Sequence, residues 1–255
     1  MKVRVLGCYG GELPGFRLPS FLIDDILLVD AGSVSASLSL QEQARIDHIL
    51  ITHAHLNHTV GLAFLADNIF GLREKPVMIY SIRAVLEGLK AHLFNDILWP
   101  DFTQLPSLSS PTLSFQAIPE KVPSLIGEHH VTPVRVHHVV DAVAYFIERE
   151  GETILYTGDT GPTQKVWEMA RSVRNLKGII VETSFPNRLQ EVAEASGHLT
   201  PHGLSQELLK VDSQIPVYIY IYHSKPEFLD EITEEITQIQ HSPIQLLEQG
   251  RVYRF

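Results

Sequence analysis

The chain has 255 residues, 44% of them hydrophobic and 20% charged, which is the profile of a folded globular protein with a sizeable core. A formal net charge of −10, with Lys and Arg scattered and forming no run, argues against long nucleic-acid partners. Cys8 is the only cysteine and permits no internal disulfide. No stretch approaches the roughly 18 apolar residues of a membrane span, and residues 1–7 lack a signal-peptide core, so a cytoplasmic place is expected.

Strand-like runs at residues 3–5, 20–23 and 26–29 come first, separated by Gly- and Pro-bearing turns. A short helix around 38–43 precedes Ile49-Leu50-Ile51, an apolar run that reads as a buried strand. It enters the loop Thr52-His53-Ala54-His55-Leu56-Asn57-His58, and residues 59–65 continue with helical spacing. A strand end, a His-rich turn and a helix start can gather several ring nitrogens around one small volume. Neutral imidazole is a common ligand for transition metals, so a metal site is expected here.

A strand at 77–80 and a helix from 82 to about 94 follow, and then Ser, Pro and Thr dominate residues 100–123. That segment reads as a long connection carrying one strand at 113–117. Strands at 131–137, 143–147 and 153–156 come close together, with Glu150-Gly151 marking a tight hairpin turn. Helix 164–173, strand 178–181, helix 201–211, strand 217–221 and helix 227–239 complete an alternation typical of layered α/β proteins. No internal repeat or boundary divides the chain, and a single domain over 1–255 is expected.

Further strand ends carry groups able to do chemistry. They are the pair His137-His138, Asp159 after a turn that Gly158 permits, Glu182, and His223. Active sites of α/β sheets gather residues from several strand ends in this way. Thr200-Pro201 suits a helix start, with Thr as N-cap and Pro in the first turn. His202 is expected to be structural, and His48, His129, His130 and His241 have no supporting pattern.

The His loop, followed by Gly158-Asp159-Thr160 and a late strand-end His223, resembles the metallo-β-lactamase superfamily. Within it the chain is similar to the class II cyclic-nucleotide phosphodiesterases. The narrower resemblance rests on His55-Leu56-Asn57-His58, Phe94-Asn95-Asp96-Ile97-Leu98-Trp99-Pro100, Glu182-Thr183-Ser184-Phe185-Pro186-Asn187, Gly197-His198-Leu199-Thr200-Pro201 and His223-Ser224-Lys225-Pro226.

The resemblance implies an αββα four-layer sandwich and hydrolysis of a 3′,5′-cyclic nucleotide to the 5′-monophosphate by a hydroxide held between two divalent metals. Zinc is the expected metal, with manganese or iron as alternatives. His53, His55 and one of His137 and His138, preferably His138, are implied at the first metal. Asp159 is implied as the bridge, and His58 and His223 at the second metal. Asp30 is implied as a brace of the His loop. His198 is implied as the acid for the leaving oxygen, with Glu182 orienting it.

Asn57 stands where the family has Asp. A neutral amide is a weaker ligand than a carboxylate, so a weaker second metal and lower activity are expected. Residues 92–100, with Phe94, Asn95 and Trp99, either form a wall of the substrate pocket, by stacking on the base and hydrogen bonding to the base or phosphate, or are a core-packing helix end halted by Pro100; contact with a second subunit in a homodimer is a further expectation. Two other readings are a tRNA 3′-processing endonuclease of the same fold and a nucleotide-binding protein disabled by Asn57. The choice between cyclic AMP and cyclic GMP depends on pocket shape and is not written in the sequence.

Overall fold

A computed structural model describes residues 1–211, 217–240 and 243–255 of the chain; His241 lies outside them. The first half supplies β1 (Lys2–Gly7), β2 (Ser20–Ile23), β3 (Leu27–Ala31), the single turns α1 (Val34–Ser37) and α2 (Leu40–Gln43), β4 (His48–Leu50), α3 (Leu56–Asn68), β5 (Val77–Ser81) and α4 (Arg83–His92). A two-residue pair, β6 (Pro106–Ser107) and β7 (Ser110–Pro111), and the strand β8 (Leu113–Ala117) follow. The second half runs β9 (Ser124–Ile126), β10 (His129–Arg135), β11 (Val143–Arg149), β12 (Glu152–Tyr156), α5 (Lys165–Ser172), β13 (Leu176–Glu182), α6 (Gln190–Ser196), α7 (Pro201–Leu208), β14 (Tyr218–Tyr222), α8 (Leu229–Ile236), β15 (Ile244–Leu246) and β16 (Val252–Arg254).

These strands make two seven-stranded mixed sheets, ordered β16-β1-β2-β3-β4-β5-β8 and β15-β14-β13-β12-β11-β10-β9. Strand periodicity assigns the layers, because alternate residues point to opposite faces. Tyr145, Ile147, Ile154, Tyr156, Ile180, Tyr220 and Tyr222 join the core shared with the first sheet. Their neighbours Ala144, Phe146, Leu155, Ile179, Val181, Ile219 and Ile221 instead pack with Val166 and Trp167 of α5, Leu204 of α7 and Ile232 of α8. Both faces of the second sheet are therefore buried, and the expected αββα sandwich is the architecture observed.

The hairpin at Glu150-Gly151 forms as expected, with φ of 54° and 79° at its two residues and Arg149 paired with Glu152. The elements that escaped the sequence reading are short: the outer strands β9, β15 and β16, the β6–β7 pair, and the helices α1 and α6. β16 matters most, because it crosses back to pair with β1 antiparallel, Val3 opposite Tyr253. The expected helix at 227–239 is a 3₁₀ turn, Pro226–Phe228, followed by α8, which ends at Ile236.

Candidate active site

The strands that carry chemistry run parallel, β3 to β4 to β5 in one sheet and β12 to β13 to β14 in the other. Their C-terminal ends therefore face the same way. From one sheet come Asp30 at the end of β3, His53 and His55 in the loop after β4, and His58 in the first turn of α3. From the other come His138 after β10, Asp159 after β12, Glu182 at the end of β13 and His223 just after β14. Gly61 lets α3 lie close on β3, since a Cβ there would collide with the Ala31 carbonyl. Gly158, at φ 63°, makes the turn that presents Asp159; a Cβ there would meet the Val143 carbonyl at 2.9 Å and Thr52 at 3.0 Å.

These residues converge. His53, His55, His138 and Asp159 bring ligand atoms within 4.8 Å of one another; His58, Asp159 and His223 do the same, as do Glu182, His198 and His223. Asp159 belongs to both of the first two groups. Its Oδ2 lies 3.7 Å from His53 Nε2, 3.3 Å from His58 Nε2 and 3.2 Å from His223 Nε2. His138, not His137, enters the cluster, with its Nε2 3.2 Å from His55 Nδ1. His137 is exposed, and its carbonyl accepts from Gly161 N–H at 2.7 Å. Asn57 also faces the centre, its amide nitrogen 3.0 Å from His223 Nε2.

The outer nitrogens of the rings are held by partners. His58 Nδ1 donates to Asp30 Oδ2 at 2.8 Å, and His138 Nδ1 donates to the Gly197 carbonyl at 2.9 Å. Asp30 also accepts from Thr52 N–H at 2.9 Å, from the Thr52 hydroxyl and from the Tyr156 hydroxyl at 2.9 Å. It sits at φ 52° and is fully buried, so the brace is held against backbone strain. His223 is likewise strained, at φ 68°, and is clamped by its own N–H donating to the Cys8 carbonyl at 2.7 Å.

Electrostatics suit cation binding at four of the five rings. Burial, reinforced by neighbouring imidazoles, holds His53 and His223 well below the usual histidine range. The same causes bring His55 down to about 4. Burial also lowers His138. These four rings are therefore neutral, with lone pairs to offer. Burial opposes charge on His58 too, but Asp159 and Asp30 overcome it and push that ring up to about 10. Asp159 is held well below the carboxylate range by His223 and His58 despite its burial.

Two buried atoms inside the cluster, His53 Nε2 and Asp159 Oδ1, have no hydrogen-bond partner among the described residues. Leaving such atoms unpaired costs about 1–3 kcal/mol each, and a cation between them removes that cost. The donor set, imidazoles with a shared carboxylate, suits divalent metal ions.

Beside the cluster, His198 Nδ1 donates to Glu182 Oε1 at 2.7 Å. Burial disfavours charge on this ring, but the Glu182 carboxylate outweighs it and raises His198 above its ordinary value. Thr200 caps α7, accepting from Gly203 N–H at 3.1 Å, with Pro201 in the first turn as expected. His202 is exposed, and His129 is a buried structural residue paired with Asp24 at 2.9 Å.

Of the two readings of residues 92–100, core packing is the one that Phe94 follows. Phe94 is fully buried and packs on Phe115 in the core, so it presents no face to a base. Asn95 spends its side chain locally, donating to the Ala91 carbonyl and accepting from the N–H groups of Ile97 and Leu98. Trp99 rests edge-on against Phe64 of α3, ring centroids 5.5 Å apart. Sequence reasoning also missed Ser184 and Gly10, which touch His223 directly.

The family described as class-II cAMP phosphodiesterases matches residues 32–238. A 3′,5′-cyclic-nucleotide phosphodiesterase of Aliivibrio fischeri is 28% identical, over 79% of this chain and 71% of that protein. A probable 3′,5′-cyclic-nucleotide phosphodiesterase of Yersinia pestis is 28% identical, over 100% of this chain and 89% of that one. The crystal structure of unliganded yeast PDE1 superposes with a TM-score of 0.83 at 20% identity, covering 98% of both chains. The family match takes in the His loop, Asp159, Glu182, His198 and His223 together, and the chain belongs to the class-II cAMP phosphodiesterases.

Proposed function

We propose that the chain hydrolyses 3′,5′-cyclic nucleotides to 5′-monophosphates, using two divalent ions, zinc first among the choices. The observation that carries this reading is the sharing of Asp159 between two ligand groups, with the His198–Glu182 pair joined to the second through His223. His53, His55, His138 and Asp159 would hold one ion; His58, Asp159 and His223, with Asn57 alongside, would hold the other. Bound there, the ions supply a lowered water pKa and charge compensation at the phosphoryl oxygens.

The remaining work belongs to the chain. Water oxygen joins phosphorus as one of its protons passes to solvent, the bond from phosphorus to O3′ breaks, and O3′ needs a proton as it leaves, which solvent later returns to its donor. His198 supplies it: Nδ1 is committed to Glu182, which leaves Nε2 as the donating atom and favours the protonated ring over the burial that opposes it. Asp30 holds His58, and Gly197 holds His138, each with its ligating nitrogen turned inward. No helix is long and apolar enough to cross a membrane among the described residues, and a free Cys8 suits a reducing cytoplasm.

The test is metal content and turnover of cyclic AMP and cyclic GMP by the Asn57 chain and by Asn57→Asp. The expected result is a 5′-monophosphate product, with Asn57→Asp richer in the second ion and faster. No turnover in either form sinks the reading, and cleavage of tRNA precursors in its place would favour the endonuclease. An Asp form no more active and no richer in metal removes the role given to Asn57.

A further inference from the structure

Ser184 is fully buried two residues beyond β13, and its hydroxyl lies within hydrogen-bond distance of three side chains. These are Glu182 Oε2 at 2.8 Å, His223 Nδ1 at 2.8 Å and His198 Nδ1 at 3.2 Å. Its backbone is pinned, with Ser184 N–H donating to the Leu199 carbonyl at 3.0 Å and the Ser184 carbonyl accepting from Lys225 N–H. The hydroxyl is therefore held where it is by the two loops that carry the other members of the group.

A serine hydroxyl has one proton to give and two lone pairs to receive with. The Glu182 carboxylate can only accept, so the proton goes there. His198 gives its own Nδ1–H to the nearer Glu182 Oε1, at 2.7 Å. What remains for Ser184 is to accept from His223, which places the hydrogen of that ring on Nδ1. The His223 lone pair then sits on Nε2, the atom 3.2 Å from Asp159 Oδ2 and 3.2 Å from His58 Nε2.

We propose that Ser184 is a positioning residue that fixes the tautomer and ring orientation of His223, and thereby the strength of the second metal position. The hydrogen bonds form one line, His223 to Ser184 to Glu182, with His198 on the far carboxylate oxygen. The same carboxylate thus orients a metal ligand through Ser184 and the proton donor directly. This inference rests on the proposed two-metal reading. Partners of this kind typically change metal affinity by about 10- to 100-fold when removed.

The experiment compares the zinc-loaded wild type with Ser184→Ala and Ser184→Thr, reading the dissociation constant of each ion by chelator competition. The expected result is a 10- to 100-fold weaker second ion in Ser184→Ala, an unchanged first ion, and recovery in Ser184→Thr, which keeps the hydroxyl. A nitrogen-15 spectrum of zinc-loaded wild type should show His223 bound through Nε2 with a proton on Nδ1; metal on Nδ1 overturns the inference and needs no variant that folds. Equal affinities in wild type and Ser184→Ala overturn it whatever the turnover, as does a wild type that takes up no second ion. A wild type that binds both ions, loses the second in Ser184→Ala and hydrolyses no cyclic nucleotide overturns the functional reading alone and supports this role for Ser184.

Discussion

At the scale of single residues, the site divides into groups that face the centre and groups that hold them. His198 belongs to the first kind. His198→Ala is expected to keep its metals and lose turnover by about 10²- to 10⁴-fold, and steady-state kinetics with metal analysis check both; turnover within threefold of wild type removes it as the acid. Asp30 is of the second kind, accepting from Thr52, His58 and Tyr156 at zero exposure. Asp30→Asn keeps the shape but points a donor at donors, and urea titration should show a loss of about 2–4 kcal/mol. A loss under half a kilocalorie would mean that the network rearranges freely.

Legibility in the sequence also differs by residue. The His loop and Asp159 stood out because their spacing and strand-end placement are local features, visible within a few positions. Ser184 was not legible in this way. Its importance comes from partners at 182, 198 and 223 that only the folded chain brings together. Phe94 was ambiguous for the opposite reason: an aromatic at a helix end looks the same whether it lines a pocket or fills a core, and here it fills the core.

At the scale of elements, close approaches set where the ligands stand. The segment after β1 runs beside the loop after β14, with Gly10 N–H donating to the Ser224 carbonyl at 3.2 Å. A Cβ on Gly10 would meet His223 Nδ1 at 2.8 Å and Cε1 at 2.9 Å, with the His223 carbonyl nearer still. Gly10→Ala should therefore displace the ring, and calorimetry is expected to show at least a tenfold weaker second metal with the first retained. Unchanged binding would show that the loop yields without moving His223. The long strands were predictable because their apolar residues are local and β-branched or aromatic. β15 and β16 are three residues each, with one polar or charged residue apiece, and their existence depends on pairing with β14 and with β1.

At the scale of the whole molecule, acid stability has an identifiable contributor. Burial pushes the Asp101 carboxyl up, but hydrogen bonds from Lys90, Thr103 and Gln104 outweigh it and bring the group down to about 2. A depressed carboxyl stabilises the fold above its unfolded value of 3.8, and that contribution disappears as pH falls through about 2. Asp101→Asn should cost about 1–2 kcal/mol at neutral pH after allowance for the exposed Lys90. The gap to wild type should close between about pH 4 and pH 2, as read by melting curves across that range. A gap independent of pH would assign the cost to packing.

The two sheets contribute to the centre evenly, His53, His55 and His58 from one and His138, Asp159 and His223 from the other. An ion gripped from both sides acts as a rivet through the seam. Withdrawing it leaves apolar packing alone to join the layers at that end and sets three like imidazoles against one another. With an ion bound there, chelation is expected to loosen the seam at that end, and a lower melting temperature of the chelated protein is the measurement that checks it.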